Sequence, residues 1–158
     1  MAYKDPVTFG IGSSGFNAIS VIIPAYQAEE TIERSVTSAL SIGPALREIV
    51  VVDDGSTDDT SVIVARLANC DDRVRLIRQQ NKGRSAARNV GLAAAHGSWI
   101  MFLDADDYLF PGDYEVLIDA AVINDLGLII CQHSCSDAGK TEVWDTRTSL
   151  SDISVVSA

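Results

Sequence analysis

The sequence predicts one α/β domain in which helices flank a mostly parallel sheet. Short apolar runs alternate along the chain with segments of helical period, and such runs are typical of strands buried on both faces of a parallel sheet. The length of 158 residues and a hydrophobic content of 47% suit a single globular domain. The runs that carry the prediction are residues 19–23, 48–52, 74–77, 99–103 and 126–131.

Two helices are predicted between the first three strands. The first begins near Glu29 and ends at Gly43-Pro44, where a glycine and a proline stop a helix. Its apolar stripe repeats every four residues and consists of Ile32, Val36 and Leu40. The second follows residues 56–59, which fit a capping box. Its apolar side is expected to contain Val62, Ile63 and Leu67.

Two further helices complete the alternation. Ser85 is expected to cap a helix over residues 86–95 that ends by Gly97, and another helix is predicted over residues 113–124. Residues 1–17 have no period and are expected to form a flexible leader. Their G-x-G-x-x-G match is not a dinucleotide fingerprint, because no convincing strand precedes it and a strand follows it. Residues 136–158 form a tail without an assignable pattern.

Acidic residues follow two of the predicted strands. Asp53 and Asp54 end the second strand, and Asp104 and Asp106 follow the run at 99–103. Parallel strands bring these ends to the same edge of the sheet, where open α/β sheets bind ligands. Clustered carboxylates repel one another, and Mg²⁺ or Mn²⁺ shared with a phosphate relieves that repulsion. The sequence thus predicts a metal–phosphate site at Asp104 and Asp106. The alternative is a polar loop with solvated or helix-capping acids.

Cationic residues lie between the two acidic clusters. Lys82 and Arg84 belong to a basic turn, and Arg88 follows in the first turns of the next predicted helix. Cations beside acidic clusters indicate recognition of a phosphate or another anion. The alternative is ordinary surface charge on a solvated helix.

Composition excludes some classes of function. A net charge of −10 argues against non-specific binding of nucleic acid. No apolar run is long enough to span a bilayer, so we expect no transmembrane segment and a cytoplasmic location, compatible with peripheral association at the inner face of a membrane. Three cysteines fit reduced thiols. Cys131, His133 and Cys135 lack a suitably spaced fourth zinc ligand, so buried thiols are favoured.

Four motifs occur in one order and raise the specificity well above that of any single motif. They are residues 20–26 (SVIIPAY), 51–58 (VVDDGSTD), 81–91 (NKGRSAARNVG) and 102–107 (FLDADD). With these motifs the chain resembles the nucleotide-binding half of the family 2 inverting glycosyltransferases, which share a Rossmann-like GT-A fold. The resemblance covers roughly residues 19–131.

The resemblance implies roles for individual positions. Residues expected to bind the nucleotide sugar are Pro24, Ala25, Tyr26, Asp54, Lys82, Arg84, Arg88 and Asp104. The first three match the loop that borders the nucleobase, and Asp54 matches the acid that hydrogen-bonds the base. Asp104 and Asp106 match a D-x-D pair, whose first acid lies near the ribose and whose last acid ligates Mn²⁺ or Mg²⁺ on the diphosphate.

The resemblance also implies an activity, with two departures from the family pattern. We expect metal-assisted sugar transfer, with inversion, from a nucleoside-diphosphate sugar, most commonly a UDP-sugar. The acceptor would be a saccharide or a lipid-linked molecule, in cell-envelope polysaccharide biosynthesis. Gln27 stands where the family usually has Asn. The carboxylate base of the family would fall beyond Ala158, so the chain is expected to be the N-terminal portion, truncated on its C-terminal side.

The expected organisation is therefore a nucleotide-sugar-binding domain over residues 18–135, followed at 136–158 by the start of the acceptor-side half. Two other functions remain open. A binding module that lacks the base would retain only the donor site. A phosphotransferase of the haloacid dehalogenase type would use Asp104 as nucleophile and Asp106 as acid/base. The latter leaves Asp53, Asp54 and residues 24–26 unexplained.

Overall fold

The computed structural model describes residues 19–112 and 114–123, and the chain divides into two compact units, Met1–Gly112 and Asp113–Ala158. The first unit contains four strands, namely β1 (Ile19–Ala25), β2 (Leu46–Asp53), β3 (Val74–Arg78) and β4 (Trp99–Phe102). Its helices are α1 (Ile32–Leu40), α2 (Thr60–Cys70) and α3 (Arg84–Ala94), with a 3₁₀ turn at Gly43–Ala45. In the second unit, α4 spans Tyr114–Ile123, close to the predicted 113–124.

The four strands form one parallel sheet in the order β3-β2-β1-β4. The chain runs outward from β1 through β2 to β3 and then returns to place β4 on the other side of β1. Right-handed crossovers then put α1 and α2, which contact each other, on one face and α3 on the opposite face. The order reverses between β1 and β4, and this switch point is where open α/β sheets bind ligands. The predicted α/β class with a parallel sheet is confirmed.

The core lies around β1 and β2. All seven residues of β1 are buried, and so are seven of the eight residues of β2, as expected for strands covered on both faces. Helix α3 packs closely on this sheet because Gly91 has no side chain, and a Cβ there would collide with Ile22. Val50, Val52 and Ala87 form a buried cluster beside this contact. The close packing fixes the start of α3 relative to the ends of the strands.

The first helix starts later than predicted. Helix α1 begins at Ile32 and not near Glu29, because the preceding N–H groups bind the neighbouring loop. The Glu29 N–H donates to the Asp58 carboxylate at 3.1 Å. Helix α2 starts at Thr60, directly after residues 56–59, but the predicted capping box is not formed: the N-cap Asp59 makes no side-chain cap hydrogen bond, and the Thr60 N–H donates to Asp58 Oδ1 at 3.1 Å. Val62 is exposed and does not belong to the apolar side.

Helix α3 is also bounded differently. It starts at Arg84, one residue before the predicted cap Ser85, because Gly83 is the N-cap and adopts a φ of +88°, a conformation that favours glycine. It ends at Ala94 because the next N–H groups bind elsewhere: the His96 N–H donates to the Glu48 carboxylate at 2.6 Å. The start of α3 therefore depends on a glycine and its end on a distant carboxylate.

The prediction that the acid-tipped strand is buried throughout is wrong for β4. Within the described sheet it pairs with β1 alone, and its residues alternate between intermediate burial and exposure. Phe102 is 48% exposed. An apolar run is therefore a poor guide to burial at a sheet edge.

Several predictions lie outside the described residues: the leader at 1–17, the strand at 126–131, the thiols at Cys131 and Cys135 with His133, and the tail. Within the described part of the chain, no helix combines the length and apolar character needed to cross a membrane.

Candidate functional site

A cleft of about 740 Å³ opens at the carboxyl end of the sheet, beside the switch point. Its volume lies in the range of small-molecule sites. The loops after β1, β2 and β4 and the start of α3 line it. Of the residues that the sequence predicts for the site, those lining the cleft are Pro24, Ala25, Tyr26, Asp54, Arg84, Asp104 and Asp106. Lys82 and Arg88 are not among the lining residues. The Lys82 N–H donates to Asp54, and the Arg88 side chain donates to Asp104, so each contacts an acid that lines the cleft.

Hydrogen bonds join the loop after β1 to the loop after β2. The Gln27 N–H donates to Ser56 Oγ at 3.0 Å, and the Gln27 side-chain oxygen accepts from the Thr57 N–H at 2.8 Å. The Asp59 N–H donates to Glu29 Oε2 at 2.9 Å. Gln27 adopts a φ of +51°, an uncommon conformation for a residue with a side chain. In sequence Gln27 is only a departure from the family pattern, and no local pattern signals this structural role.

These linked loops present Tyr26 at the edge of the cleft. Pro24 and Ala25 end the buried strand β1, and the next residue, Tyr26, is 54% exposed. The backbone before Tyr26 is held by strand pairing, and the backbone after it is held by the loop hydrogen bonds. The position of Tyr26 is therefore restrained from both sides along the chain. An exposed ring at a cleft edge offers a flat surface for stacking.

Asp58 stabilises the same pair of loops. Burial raises the pKa of its carboxyl group, but hydrogen bonds from the Thr60 hydroxyl, the Thr60 N–H and the Glu29 N–H outweigh that effect and hold the pKa below its usual value. The Thr60 hydroxyl donates to Asp58 Oδ1 at 2.6 Å. Asp58 therefore stays charged and holds the two loops together through its hydrogen bonds.

Asp54 organises the turn that leads into α3. It is 3% exposed. Its Oδ1 accepts from Gln79 Nε2 at 2.6 Å and from the Lys82 N–H at 2.9 Å, and its Oδ2 accepts from the Gly83 N–H at 2.8 Å. Burial raises the pKa of Asp54, but these hydrogen bonds and the Lys82 charge outweigh that effect, so the pKa lies below its usual value. The carboxylate is thus ionised and largely occupied within the protein.

The start of α3 faces the cleft. Gly83 and Arg84 line the cleft, and Ala87, one turn further, is also among its lining residues. A helix N-terminus carries unsatisfied N–H groups and a partial positive charge, which favour an anion. Asp54 fixes the position of this helix end through the Gly83 N–H. Lys82 is exposed beside it.

Asp104 pairs with two arginines of α3. Its Oδ1 accepts from Arg88 at 2.6 Å, and its Oδ2 accepts from Arg84 at 3.3 Å. The guanidinium carbon of Arg88 lies 5.7 Å from the centre of the Phe102 ring. Arg88 Nε is buried without a hydrogen-bond partner among the described residues. The predicted anion-binding arginines therefore neutralise an acid of the site.

Asp104, Asp106 and Asp107 form a cluster of three carboxylates. One oxygen from each lies within 4.8 Å of the others, and Asp106 and Asp107 are exposed. Carboxylate oxygens are the donors that Mg²⁺ and Mn²⁺ prefer, with water and substrate phosphates supplying the remaining ligands. The donor chemistry and spacing fit such an ion. Asp107, a residue not predicted for the site, belongs to the same cluster, and its position directly after the D-x-D pair was the available signal.

Comparison with known proteins identifies relatives of this domain. The family described as Glycosyl transferase family 2 matches residues 20–154. The uncharacterized glycosyltransferase YibD of Escherichia coli is 35% identical over 130 residues, which are 82% of this chain and 38% of YibD. The succinoglycan biosynthesis protein ExoU of Rhizobium meliloti is 43% identical over 95 residues, which are 60% of this chain and 28% of ExoU.

Solved structures of TarS from S. aureus share the fold. One has a TM-score of 0.56 and 30% identity, covering 68% of this chain and 20% of TarS. Another, a complex of TarS 1–349 with UDP-GlcNAc, has a TM-score of 0.51 and 36% identity, covering 68% of this chain and 31% of that protein. The fold is therefore the Rossmann-like GT-A fold.

The match is long in this chain and short in its relatives. The chain spans 33% to 40% of the length of the first curated relatives that it matches. The family match nevertheless covers most of the 158 residues and reaches each of the four described strands. The chain belongs to glycosyl transferase family 2.

Proposed function

We propose that the protein transfers a sugar from a nucleoside-diphosphate sugar to an acceptor hydroxyl, with inversion at the anomeric carbon, and that the cleft at the switch point binds the donor. One observation carries the proposal: the exposed acids Asp106 and Asp107 and the N-terminus of α3 line or border a single cleft. A diphosphate accompanied by a metal ion needs both kinds of group.

The nucleobase would bind beside the first two loops. Tyr26 offers a ring for stacking, and Pro24 and Ala25 line the same cleft. Asp54 uses three acceptor positions within the protein, and an ionised carboxylate has about four. One position is left for an N–H of the base. UDP is the proposed nucleotide, and solved complexes of the relative TarS with UDP and with UDP-GlcNAc support it.

The diphosphate would bind between α3 and the carboxylate cluster. Lys82, Arg84 and the N-terminus of α3 would neutralise its charge. Arg84 and Arg88 pair with Asp104 in the structure. A bound diphosphate would attract the exposed Arg84 towards the phosphate oxygens, while Arg88 would keep Asp104 oriented towards the ribose.

Asp106 would hold Mn²⁺ or Mg²⁺, with Asp104 and Asp107 close enough to assist. Such an ion supplies charge neutralisation to a departing nucleoside diphosphate. The protein's own part is to orient the donor so that an acceptor hydroxyl can attack from the opposite side. We assign the base that deprotonates this hydroxyl to a carboxylate outside the described residues. Relatives named for polysaccharide synthesis, such as ExoU, support a saccharide or lipid-linked acceptor.

The proposal is tested by calorimetric titration of UDP and GDP into the full chain, with and without Mn²⁺. We expect UDP to bind more tightly with Mn²⁺, and Asp106→Asn to weaken binding by about 100-fold in the presence of the metal only. Asp72→Asn is the matched control, because Asp72 is exposed and precedes β3 at the opposite end of the sheet. Absence of UDP binding to the folded wild-type chain, or equal losses in the two variants, would overturn the assignment.

A further inference from the structure

We propose that helix α1 positions the metal-binding acids through a clamp made of Arg34, Ser35 and Ser38. The segment that it holds is the acid loop, defined as residues 104–109. This inference rests on the proposed function, because the acid loop is the proposed site of the metal and the diphosphate. Arg34 is the main positioning residue of the clamp, and it acts through the backbone of Asp106.

The clamp consists of three hydrogen bonds to the backbone of the acid loop. Arg34 donates to the carbonyl oxygen of Asp106 at 2.9 Å, and Ser35 Oγ donates to the carbonyl oxygen of Asp104 at 3.3 Å. The Leu109 N–H donates to Ser38 Oγ at 2.9 Å. Positions 34, 35 and 38 lie on one side of a helix because residues three and four apart are neighbours there.

Arg34 restrains the loop at a second point. Its guanidinium carbon lies 4.8 Å from the centre of the Tyr108 ring, a distance typical of a cation–π contact. One side chain therefore contacts the acid loop on both sides of Asp107. The Ser35 side of the clamp is rigid, since Ser35 is fully buried in α1.

The hydrogen bonds of the clamp use only backbone groups of the acid loop and none of its carboxylates. The Asp106 carboxylate has no hydrogen-bond partner in the described part of the chain, although the Asp106 carbonyl is held by Arg34. Fixing the backbone in this way sets the spacing of the carboxylates without neutralising them. A ligand set held in advance loses less conformational entropy when it binds an ion.

The test compares Arg34→Ala and Arg34→Lys with Arg66→Ala in the full chain. Arg66 is a suitable control because it is an exposed arginine that pairs with Glu33 of the same helix α1. The probe is UDP, titrated with saturating Mn²⁺ and without metal. For Arg34→Ala we expect about a tenfold loss of UDP affinity with Mn²⁺ and little change without it. Arg34→Lys should recover part of the loss, and Arg66→Ala should match the wild type.

An equal loss with and without Mn²⁺ would overturn the clamp, because it would mean that Arg34 contacts the nucleotide directly. Unchanged affinity in Arg34→Ala would overturn it as well. Hydrogen exchange in the metal-free protein provides a readout that does not depend on nucleotide binding. We expect faster exchange of the acid-loop amides in Arg34→Ala than in Arg66→Ala, with equal exchange elsewhere.

The two proposals can fail separately. Absence of Mn²⁺-dependent UDP binding in the wild type would overturn the proposed function, and the exchange rates would still decide whether Arg34 holds the acid loop. Equal exchange in Arg34→Ala and Arg66→Ala would overturn the clamp even if UDP binds as expected.

Discussion

The two ends of the sheet both carry carboxylates near arginines, yet they differ in how those carboxylates are used. At the amino end, Glu48 is 5% exposed and accepts from Ser20 Oγ at 2.9 Å and from the His96 N–H at 2.6 Å. Arg75 forms an ion pair with it. At the carboxyl end, the Asp106 carboxylate is exposed and has no protein partner among the described residues.

The difference separates a structural carboxylate from a binding carboxylate. Burial raises the pKa of Glu48, but the His96 N–H, Arg75 and Ser20 outweigh that effect and lower it to about 2. A buried charge is tolerable only when such a network is complete. In the carboxylate cluster of the cleft, Asp106 and Asp107 are exposed and are available to a ligand. The charge of Glu48 thus stabilises the fold, whereas the charges of Asp106 and Asp107 are available for function.

The largest expected effect concerns the amino end. Glu48→Gln removes both the charge that pairs with Arg75 and one of the two acceptor oxygens, so we expect the free energy of unfolding to fall by about 3 kcal/mol. Urea denaturation measures the change. Glu33→Gln is the control, because Glu33 forms an exposed pair with Arg66 and should cost under about 0.5 kcal/mol. Similar losses in both variants would mean that the network is no more than surface charge.

The pH dependence of stability sharpens the same comparison. The pKa of Glu48 is lowered from 4.5 to about 2 on folding, so the unfolded state binds more protons between these values. Its stabilisation is therefore complete above about pH 5 and declines as the pH falls towards 2. We expect the difference in unfolding free energy between wild type and Glu48→Gln to shrink from about 3 kcal/mol at neutral pH to roughly half near pH 3. A constant difference across this window would contradict the lowered pKa.

A smaller effect is expected at Asp54, which combines features of both ends. Asp54→Asn keeps the shape but leaves only one acceptor oxygen for the Gln79 side chain and the Lys82 and Gly83 N–H groups. We expect about a tenfold loss of UDP affinity, because the start of α3 is less well held. The loss should be equal with and without Mn²⁺, in contrast to Asp106→Asn. A loss seen only with Mn²⁺ would place Asp54 in the metal site.

Much of the fold was predictable because its signals are local. The apolar runs predicted strands β1 to β4, as the structure confirms. Acids follow two of these strands, β2 and β4, and this pattern correctly predicted that Asp54 and Asp104 lie at one edge of the sheet. Burial of β4 was not predictable, since an apolar run does not reveal whether a strand has a neighbour on one side or on both. The start of α1 was misplaced because the Glu29 N–H donates to the Asp58 carboxylate of another loop.

The sequence by itself determined the α/β class, the parallel sheet with acids at the ends of two strands, and membership of the glycosyltransferase family. It could do so because hydrophobic period and the order of motifs can be read directly along the chain. The tertiary structure decided which carboxylates are occupied and which are open. Arg34 and Asp106 are separated by 72 residues, and Glu48 and His96 by 48. No local pattern records such contacts, because only the packing of helices and strands brings these residues together.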